Sequence, residues 1–565
     1  MFNGKKVWSK LGLTSMFAAF TIIANASSTD GKVDASVRHQ LQLNKKSGWT
    51  SVILRLKDGL QPEHKQAFAE LDTDLYRRIK FISSVAVRVP NRNLGKLVAL
   101  PFVERVSADA TVQKYDEFST GNSGGTVAYE QFGLTGKGVT VAVIDSGIDD
   151  HDDLNDAKGK SRVLASKSFI KLGGDEDLNG HGTHVAGILA GNGASSTGKG
   201  YTRSFYGVAR GANLINVRIL DGLGRANVSN AIAGIQWVVE NRKKYNIKVV
   251  NMSIGHEVGE SYTTDPLCIA VEKAWKAGIV VVVAAGNDGR KGNLPVPLPL
   301  YGDDNEGYGT NYGSISSPGN SPYAITVGAM RATDGNRKND TVATYSSRGP
   351  SRLDFVLKPD IMAPGNRVIS LRKPLSFLEL TSPGNVLPLK KYRTNPPLLA
   401  TSDYMELSGT SMAAPVVSGA AALLLEANPG LSPDSIKARL MASADKWTTP
   451  KGEGDSTAYG AGYLNIAKAL KSTLIATTYA RSPYLEQDAK GKYFISEDGI
   501  LDSLTLWGTG LLGFDSVWGN KAVGGNKPAF NGRAMWGINE VWADRAMWGI
   551  NDFQINLGII TLFGE

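Results

Sequence analysis

The sequence predicts an α/β fold built on a doubly wound, mostly parallel sheet. The first observation is a series of short continuous apolar runs between residues 126 and 472, a pattern typical of buried parallel strands. These runs are Val139–Ile144, Leu214–Ile219, Val249–Ile254, Val280–Ala284 and Ala324–Val327. The second observation is that helical stretches, such as Asn230–Asn241 and Pro266–Ala277, lie between the runs. In such a fold, functional side chains collect at the carboxyl ends of the strands.

A smaller α+β unit is predicted ahead of this domain, between residues 50 and 110. Its elements are expected at Ser51–Leu56 (strand), Glu63–Tyr76 (helix), Arg78–Val89 (strand), Leu94–Leu100 (helix) and Phe102–Val106 (strand). This β-α-β-α-β order is that of a small split βαβ sandwich. The polar, glycine-rich stretch Tyr115–Gly125 then predicts an exposed linker that a protease can cut.

The first residues have the three parts of a secretory signal peptide. Positive charges at Lys5, Lys6 and Lys10 precede or open the mostly apolar run Leu11–Ala24, and residues 24–26 form a small-x-small cleavage site. The apolar run is shorter than the roughly 20 residues needed to cross a bilayer. We therefore expect residues 1–26 to be removed on export, with no stable membrane span in the rest of the chain.

Composition excludes some functions. Hydrophobic residues make up 42% and charged residues 20% of the 565 residues, as in ordinary globular proteins. The net charge of +9 is spread over the whole length without a cluster of Lys and Arg, which argues against a nucleic-acid partner. Cys268 is the single cysteine, so no disulfide can form within the chain, and its apolar surroundings predict a buried side chain.

The end of the chain has a different character. Trp-Gly pairs occur at residues 507–508, 518–519, 536–537 and 548–549, and the heptapeptide Arg-Ala-Met-Trp-Gly-Ile-Asn occurs twice. Such a short-period repeat suits short strands joined by tight turns. We expect residues 473–565 to form a C-terminal extension that docks on the main domain or contacts a surface.

Three segments carry the residue types of nucleophilic catalysis. Asp145 ends a buried strand in Val-Ala-Val-Ile-Asp-Ser-Gly, His181 begins a helix in Gly-His-Gly-Thr-His, and Ser411 precedes a helix in Ser-Gly-Thr-Ser-Met-Ala-Ala-Pro. Attack on an amide needs a hydroxyl, a base to activate it, and a carboxylate to hold that base. Each of the three side chains is expected at the edge of a regular element.

These three segments resemble the signature motifs of the subtilases, a family of serine endopeptidases, over residues 126–472. The resemblance implies that Asp145 orients the base, His181 is the base and Ser411 is the nucleophile. The segment Val-Ala-Ala-Gly-Asn also matches and implies that Asn287 donates to the oxyanion. It further implies a secreted, self-processing zymogen: residues 27–120 would be a propeptide that inhibits the peptidase domain at 121–472.

The resemblance also predicts where protein substrates bind. Subtilases hold an extended peptide as an added strand on backbone groups that correspond here to Ser253, Ile254 and Gly255. Ala284, Ala285 and Gly286 would line the primary pocket with small apolar surface. Two insertions, at residues 288–312 and 371–403, lie near these segments, and the sequence does not reveal what they do.

Metal binding is considered at three places. His181 and His184 are three apart, whereas zinc peptidases use H-E-x-x-H with the histidines four apart, so zinc is not expected. The acidic run beginning at Asp175 opens like a calcium loop but has Ala186 where a bidentate Glu is required, so we interpret it as a solvated loop. Asp153 aligns with a calcium ligand of the family, but a longer segment replaces the second binding loop, which leaves bound structural calcium or its absence open.

Two rival functions are weaker. An α/β-hydrolase esterase would have G-x-S-x-G with the nucleophile first in the chain, whereas Ser411 is last and lacks the final glycine. A degenerate protease kept as a binding protein would not need intact Asp145, His181, Ser411 and Asn287.

Overall fold

The structure is a computed structural model and divides into two compact units, Met1–Gln113 and Lys114–Glu565. It describes residues 32–33, 35–43, 46–79, 83–108, 118–291, 308–332, 335–446, 456–477, 479–487, 493–495 and 554–556. The predicted signal peptide and the Trp-Gly pairs lie outside the described residues.

The first unit is an antiparallel sheet packed on helices. Its helices are α1 (Ala35–Leu43), α2 (Pro62–Glu70) and α3 (Leu94–Ala99), and its strands are β1 (Trp49–Leu56), β2 (Asp74–Ile79), β3 (Ser84–Pro90) and β4 (Val103–Ala108). The strands lie in the order β2-β3-β1-β4. Apolar side chains such as Leu54, Phe68 and Leu97 form its core.

The helix expected at Glu63–Tyr76 and the single strand expected at Arg78–Val89 were both wrong in their bounds. The helix ends at Glu70, and residues 74–79 and 84–90 form the hairpin β2–β3, in which Ile79 pairs with Ser84 and Asp74 with Arg88. Ser83 adopts a positive φ of 51° just before β3, a turn conformation that the alternation of side chains along the segment does not reveal. The unit thus has the order α-β-α-β-β-α-β.

The second unit is an α/β domain. Its helices are α4 (Phe118–Ser123), α5 (Gly125–Phe132), α6 (His181–Ala190), α7 (Val228–Asn241), α8 (Pro266–Lys276), α9 (Phe377–Thr381), α10 (Thr410–Ala427), α11 (Pro433–Ser443), α12 (Ser456–Tyr459) and α13 (Ile466–Lys471). Its strands are β5 (Thr140–Asp145), β6 (Val163–Ser168), β7 (Asn213–Arg218), β8 (Arg225–Asn227), β9 (Ile247–Met252), β10 (Val280–Ala284), β11 (Arg290–Lys291), β12 (Tyr308–Thr310), β13 (Ile325–Arg331), β14 (Thr341–Val342), β15 (Ile361–Pro364), β16 (Val368–Leu371), β17 (Tyr404–Leu407), β18 (Leu485–Gln487), β19 (Tyr493–Ile495) and β20 (Gln554–Asn556).

The central sheet is mostly parallel, as the sequence predicts. Its order is β14-β13-β10-β9-β5-β7-β6, with β15 also paired to β13, and only the short β14 runs antiparallel. The five predicted apolar runs correspond to β5, β7, β9, β10 and β13. Because β5, β9 and β10 are parallel neighbours, Asp145, Ser253 and Ala284 lie at or just beyond the same edge of the sheet.

Helix α10 is a long, almost entirely buried helix that begins at this edge. Among the described residues, it is the one helix that is long and apolar enough to cross a membrane, and 89% of its 18-residue window is buried inside the domain. It packs against α6, β9, β10 and β13. Its apolar character is therefore that of a core helix, which brings Ser411 to the carboxyl end of the sheet.

Two boundaries differ from the sequence prediction. Residues 118–123, expected in an exposed linker, form α4, where Asn122 and Ser123 are buried and Asn122 Nδ2 donates to Asp340 Oδ2 over 2.9 Å. At the other end, Leu485 is 4% exposed and its N–H donates to Phe355 O, so the packed domain continues past residue 472. Farther on, β20 pairs antiparallel with β8.

Candidate active site

Asp145 and His181 form a buried hydrogen-bonded pair. Asp145 is the last residue of β5 and His181 the first of α6, and both are almost inaccessible to solvent. His181 Nδ1 donates to Asp145 Oδ1 over 2.7 Å, and the N–H of Ser146 donates to the same oxygen over 2.7 Å. Within the part of the chain that the structure describes, His181 Nε2 has no hydrogen-bond partner. The carboxylate therefore fixes the imidazole and leaves Nε2 for another group.

The close approach of β5 and α6 depends on Gly182. A Cβ atom at this position would lie 2.1 Å from Gly147 O and 3.2 Å from the Cβ of Asp145. Any larger residue would push the helix away from the end of the strand. The glycine that follows the histidine in the motif thus allows the Asp145–His181 contact.

Asp177 holds this arrangement together, although no sequence pattern singles it out. Its side chain is fully buried, whereas Asp175 and Glu176 before it are exposed, so the prediction of a solvated acidic loop was wrong for Asp177 alone. Oδ1 accepts hydrogen bonds from Ser146 Oγ and Gly180 N–H (both 2.8 Å), and Oδ2 accepts from the N–H and hydroxyl of Thr183 (2.8 and 2.7 Å). Burial raises the pKa of Asp177, against the opposing effect of these donors. The Asp177 carboxylate therefore links Ser146, which follows Asp145, to Gly180 and Thr183, which lie on either side of His181.

Ser411 lies in the first turn of α10 and is 3% exposed. Its hydroxyl donates to Ser253 O over 3.2 Å, and Ser253 Oγ donates to Ser411 O over 2.8 Å. Ser253 directly follows β9, the neighbour of the strand that ends in Asp145. This reciprocal pair anchors the start of α10 at the edge of the sheet that carries Asp145. The Ser411 hydroxyl must leave the Ser253 carbonyl before it can donate to His181.

Asn287 is oriented by the residue before Ser411. Its Oδ1 accepts hydrogen bonds from the N–H (2.9 Å) and the hydroxyl (3.1 Å) of Thr410. The amide nitrogen Nδ2 of Asn287 therefore points toward Gly409. A Cβ atom added at Gly409 would lie 3.2 Å from this nitrogen. Thr410 is a positioning residue that sequence reasoning missed, although it lies inside the serine segment.

The predicted substrate-binding residues follow two neighbouring strands. Ser253, Ile254 and Gly255 extend β9, whereas Ala284, Ala285 and Gly286 end or extend β10, and the two strands are paired in parallel. Gly255 and Gly286 both face Ser316. A Cβ atom added at Gly255 would lie 2.9 Å from Ser316 Cβ, and one added at Gly286 would lie 2.6 Å from Ser316 Oγ. Ser316 therefore lies between the two segments, a contact that the sequence did not suggest. The insertion at 288–312 lies mostly outside the described residues.

His184 lies on α6 and faces the β16–β17 hairpin. It is fully buried, and its Nε2 is 3.2 Å from Met405 O in β17, while Ser370 Oγ in β16 donates to His184 O over 2.8 Å. Burial, followed by the proximity of His181, lowers the pKa of His184 to about 3. A neutral imidazole thus couples α6 to the β16–β17 hairpin.

The sequence left calcium binding at Asp153 open, and the protein groups around its carboxylate favour hydrogen bonds over a bound cation. The carboxylate is completely buried, and both of its oxygens accept hydrogen bonds from the protein. Oδ1 accepts from the N–H of Ser195 (2.7 Å) and Oδ2 from the hydroxyl of Tyr404 (2.8 Å), which is also 2.9 Å from Ser196 Oγ. Nowhere in the described ranges do three His, Cys, Asp or Glu side chains group in a way that would hold a metal. Tyr404 and Ser195 supply donors where the family resemblance suggested a cation.

The Cys268 thiol is buried and plays no part in the site. It lies 3.2 Å from Asn320 Oδ1 and 3.5 Å from Asp265 Oδ2. Burial, reinforced by the Asp265 charge, raises its pKa well above the usual range. A nucleophilic thiolate is therefore disfavoured.

The buried aspartate–histidine pair at the carboxyl edge of a parallel sheet, and a serine in the first turn of a core helix at the same edge, are the residue types and placements of a serine hydrolase on an α/β fold. The family model of the subtilases matches residues 136–462, and the chain belongs to this family. It is a serine endopeptidase.

Curated relatives agree with this assignment. Serine protease AprX of Bacillus subtilis is 39% identical over 344 residues, which cover 60% of this chain and 67% of that protein. Subtilisin E of the same organism is 28% identical over 471 residues, which cover 83% of this chain and 99% of that protein. A solved cold-adapted subtilisin-like serine proteinase is 27% identical, with a TM-score of 0.40 over 59% of this chain and 90% of that chain.

Proposed function

We propose that the enzyme is a secreted, self-processing endopeptidase that cleaves proteins through Ser411, His181 and Asp145, with Asn287 in the oxyanion hole. The observation that carries this proposal is the 2.7 Å hydrogen bond from His181 Nδ1 to the buried Asp145 carboxylate, with Nε2 lacking a partner among the described residues. This arrangement selects the tautomer that accepts a proton at Nε2.

In the acylation step, His181 Nε2 takes the proton of the Ser411 hydroxyl as Oγ attacks the substrate carbonyl carbon. The negative Asp145 carboxylate stabilises the imidazolium that results. His181 then gives the proton to the leaving amine nitrogen as the C–N bond breaks, and water repeats the sequence to release the acyl group. In this structure the Ser411 hydroxyl donates to Ser253 O and not to His181. This is compatible with the mechanism, because catalytic hydrogen bonds often form fully only when the substrate is bound.

Two donors meet the oxyanion that forms on the substrate. One is Nδ2 of Asn287, because Thr410 occupies the opposite end of the amide. The other is the N–H of Ser411 in the first turn of α10, where amides have no acceptor within the helix. A preorganised donor of this kind typically contributes about 3–4 kcal/mol to transition-state stabilisation.

The protein substrate lies as an extended strand along residues 253–255, and its primary side chain enters between Gly255 and Gly286. The support for the size and polarity of this pocket is that small residues line it, namely Ala284, Ala285 and Gly286, with Ser316 packed closely against Gly255 and Gly286. We therefore expect large apolar side chains to be accepted there. No charged group is required for binding there.

Residues 27 to about 120 act as the propeptide. The support is that the first compact unit, which ends at Gln113, has a hydrophobic core of its own. The basic and apolar segment at 1–26 directs export, and residues after the packed domain form an extension that is not needed for peptide hydrolysis.

Replacing Ser411 by alanine tests the nucleophile and the processing together. Loss of a triad nucleophile lowers kcat by about a million-fold, so the purified variant should show no turnover and should accumulate as the uncut precursor. His184→Ala serves as the comparison, because it removes a buried histidine without a catalytic role and should mainly lower stability. A Ser411→Ala protein that still cuts its own precursor or a casein substrate would contradict the assignment.

A further inference from the structure

An exposed apolar surface lies beside the catalytic histidine, on the insertion between β16 and β17. Leu375, Phe377 and Leu380 are 79%, 37% and 66% exposed. We call these three side chains the apolar lip. Single exposed leucines are ordinary, but apolar side chains that are exposed together beside a catalytic cleft can bind a ligand, because burying each one is favourable by about 1.5–3 kcal/mol.

The lip is joined by hydrogen bonds to the segment that leads into His181. The N–H of Phe377 donates to Leu178 O over 3.0 Å, and the N–H of Leu378 donates to Asn179 O over 3.1 Å. Leu378 itself is 5% exposed and anchors α9 in the core. The insertion thus continues the wall of the catalytic cleft from the residues immediately before His181.

Charged contacts hold the insertion to both sides of the Asp145–His181 pair. Lys373 Nζ is 2.6 Å from Asp149 Oδ2, on the loop that follows Asp145, and 3.0 Å from Glu176 Oε1, on the loop that precedes His181. Buried Arg372 binds Glu379, so the strand end and α9 are also fixed to each other. A segment with these restraints presents its side chains in defined positions.

The backbone near the start of the insertion is strained at an exposed apolar residue. Leu375 has a φ of 59°, in the left-handed region that leucine rarely adopts and that costs of the order of 1–3 kcal/mol. Its N–H is held by Glu379 Oε2 over 2.7 Å. On α9, Phe377 and Leu380 are three apart and therefore share a face of the helix. Strain that exposes an apolar group is difficult to explain by folding alone.

We propose that the apolar lip binds apolar side chains of the substrate that follow the scissile bond, and so determines specificity on the leaving-group side. This proposal rests on the proposed function. The side is assigned by the chemistry: His181 must protonate the leaving amine, so the polypeptide beyond that nitrogen runs past His181 and the segment bonded to the insertion. The residues before the scissile bond pair instead with residues 253–255.

The test compares peptides that differ in the first two residues after the cleaved bond, with Phe and Leu in one series and Ser and Gly in the other. The double variant Leu375→Asn and Leu380→Gln removes the apolar surface while respecting local structure, because Asn tolerates a positive φ and Gln favours helix. Leu398→Asn and Leu399→Gln form the matched control on the same insertion, where the two leucines are 99% and 92% exposed.

The measured quantity is the ratio of kcat/KM for the Phe/Leu series to that for the Ser/Gly series, which cancels any difference in the amount of folded enzyme. We expect the lip variant to lower this ratio roughly five- to tenfold and the control to leave it within about twofold of the parent. An unchanged ratio, an equal loss in the control, or a change confined to residues before the scissile bond would overturn the proposal. A parent enzyme that cleaves neither series would instead contradict the proposed function itself.

Discussion

Replacing Asp177 by asparagine tests whether this buried carboxylate positions the catalytic pair. The substitution keeps the size of the side chain and removes one of two acceptor oxygens. Each oxygen now accepts one backbone N–H and one hydroxyl: Gly180 and Ser146 on Oδ1, and Thr183 twice on Oδ2. Whichever way the amide turns, its NH₂ group meets a backbone N–H that can only donate.

The magnitude follows from this mismatch. A buried donor without an acceptor costs about 1–3 kcal/mol, and the adjacent hydroxyl loses its preferred partner as well. We therefore expect Asp177→Asn to lower the free energy of unfolding by roughly 2–4 kcal/mol. Because Ser146 Oγ also accepts the N–H of Gly182 over 2.9 Å, the start of α6 should shift relative to Asp145. A misplacement of the order of 1 Å lowers kcat by up to about a hundredfold.

The assay combines urea unfolding of the inhibitor-blocked enzyme with peptide hydrolysis well below the melting temperature, corrected by titration of active sites. Asp175→Asn is the control, because it makes the same chemical change on an exposed side chain of the same loop. The reasoning would be refuted if Asp177→Asn unfolded within about 0.5 kcal/mol of the parent and kept its kcat, or if Asp175→Asn showed the same losses.

Two further predictions concern buried charges. Tyr404→Phe removes the hydroxyl donor to Asp153 and should lower the free energy of unfolding by about 1–3 kcal/mol. The loss should be the same with added calcium and with excess chelator. Recovery of stability on adding calcium would show that a cation binds at Asp153 after all. Burial lowers the pKa of Lys358 to about 7, although its ion pair with Asp360 at 2.7 Å opposes this. Since an unfolded lysine keeps its proton up to about pH 10.4, the unfolded state binds more protons above pH 7, and stability should rise from pH 7 toward 10. Urea unfolding at pH 7 and 9 measures this, with a smaller rise expected in Lys358→Met; a profile that falls over this interval would be evidence against it.

The sequence predicted the sheet well because buried parallel strands leave a simple signal. The apolar runs ending near residues 144, 254 and 284 lie within two residues of the ends of β5, β9 and β10. The three catalytic segments were recognisable because their glycines and small residues meet steric demands, as Gly182 illustrates.

What the sequence did not reveal depends on contacts between distant segments. Asp177 stands in an acidic run that reads as solvated, and only the fold shows that Ser146 and Thr183 enclose it. Tyr404 lies about 250 residues from Asp153, so no local pattern links the hydroxyl to the carboxylate. The hairpin at residues 74–90 was missed because a continuous strand and two paired strands share the same alternation of side chains.

The hairpin that carries the long insertion has a consequence for how this enzyme can diversify. Leu371 and Tyr404 are paired across β16 and β17, so residues 372–403 leave and return at neighbouring points of the framework. Lengthening a segment whose ends are already fixed together adds little closure entropy, about 0.6 kcal/mol for each doubling. The side chains of this segment that pack into the core, such as Leu378 and Tyr392, limit such changes. The stretch around the exposed Leu398 and Leu399 can instead vary in length or surface while the strands that support His184 and lead to Ser411 stay in register. The outer surface of the enzyme can therefore diversify without a change in the framework that holds the site.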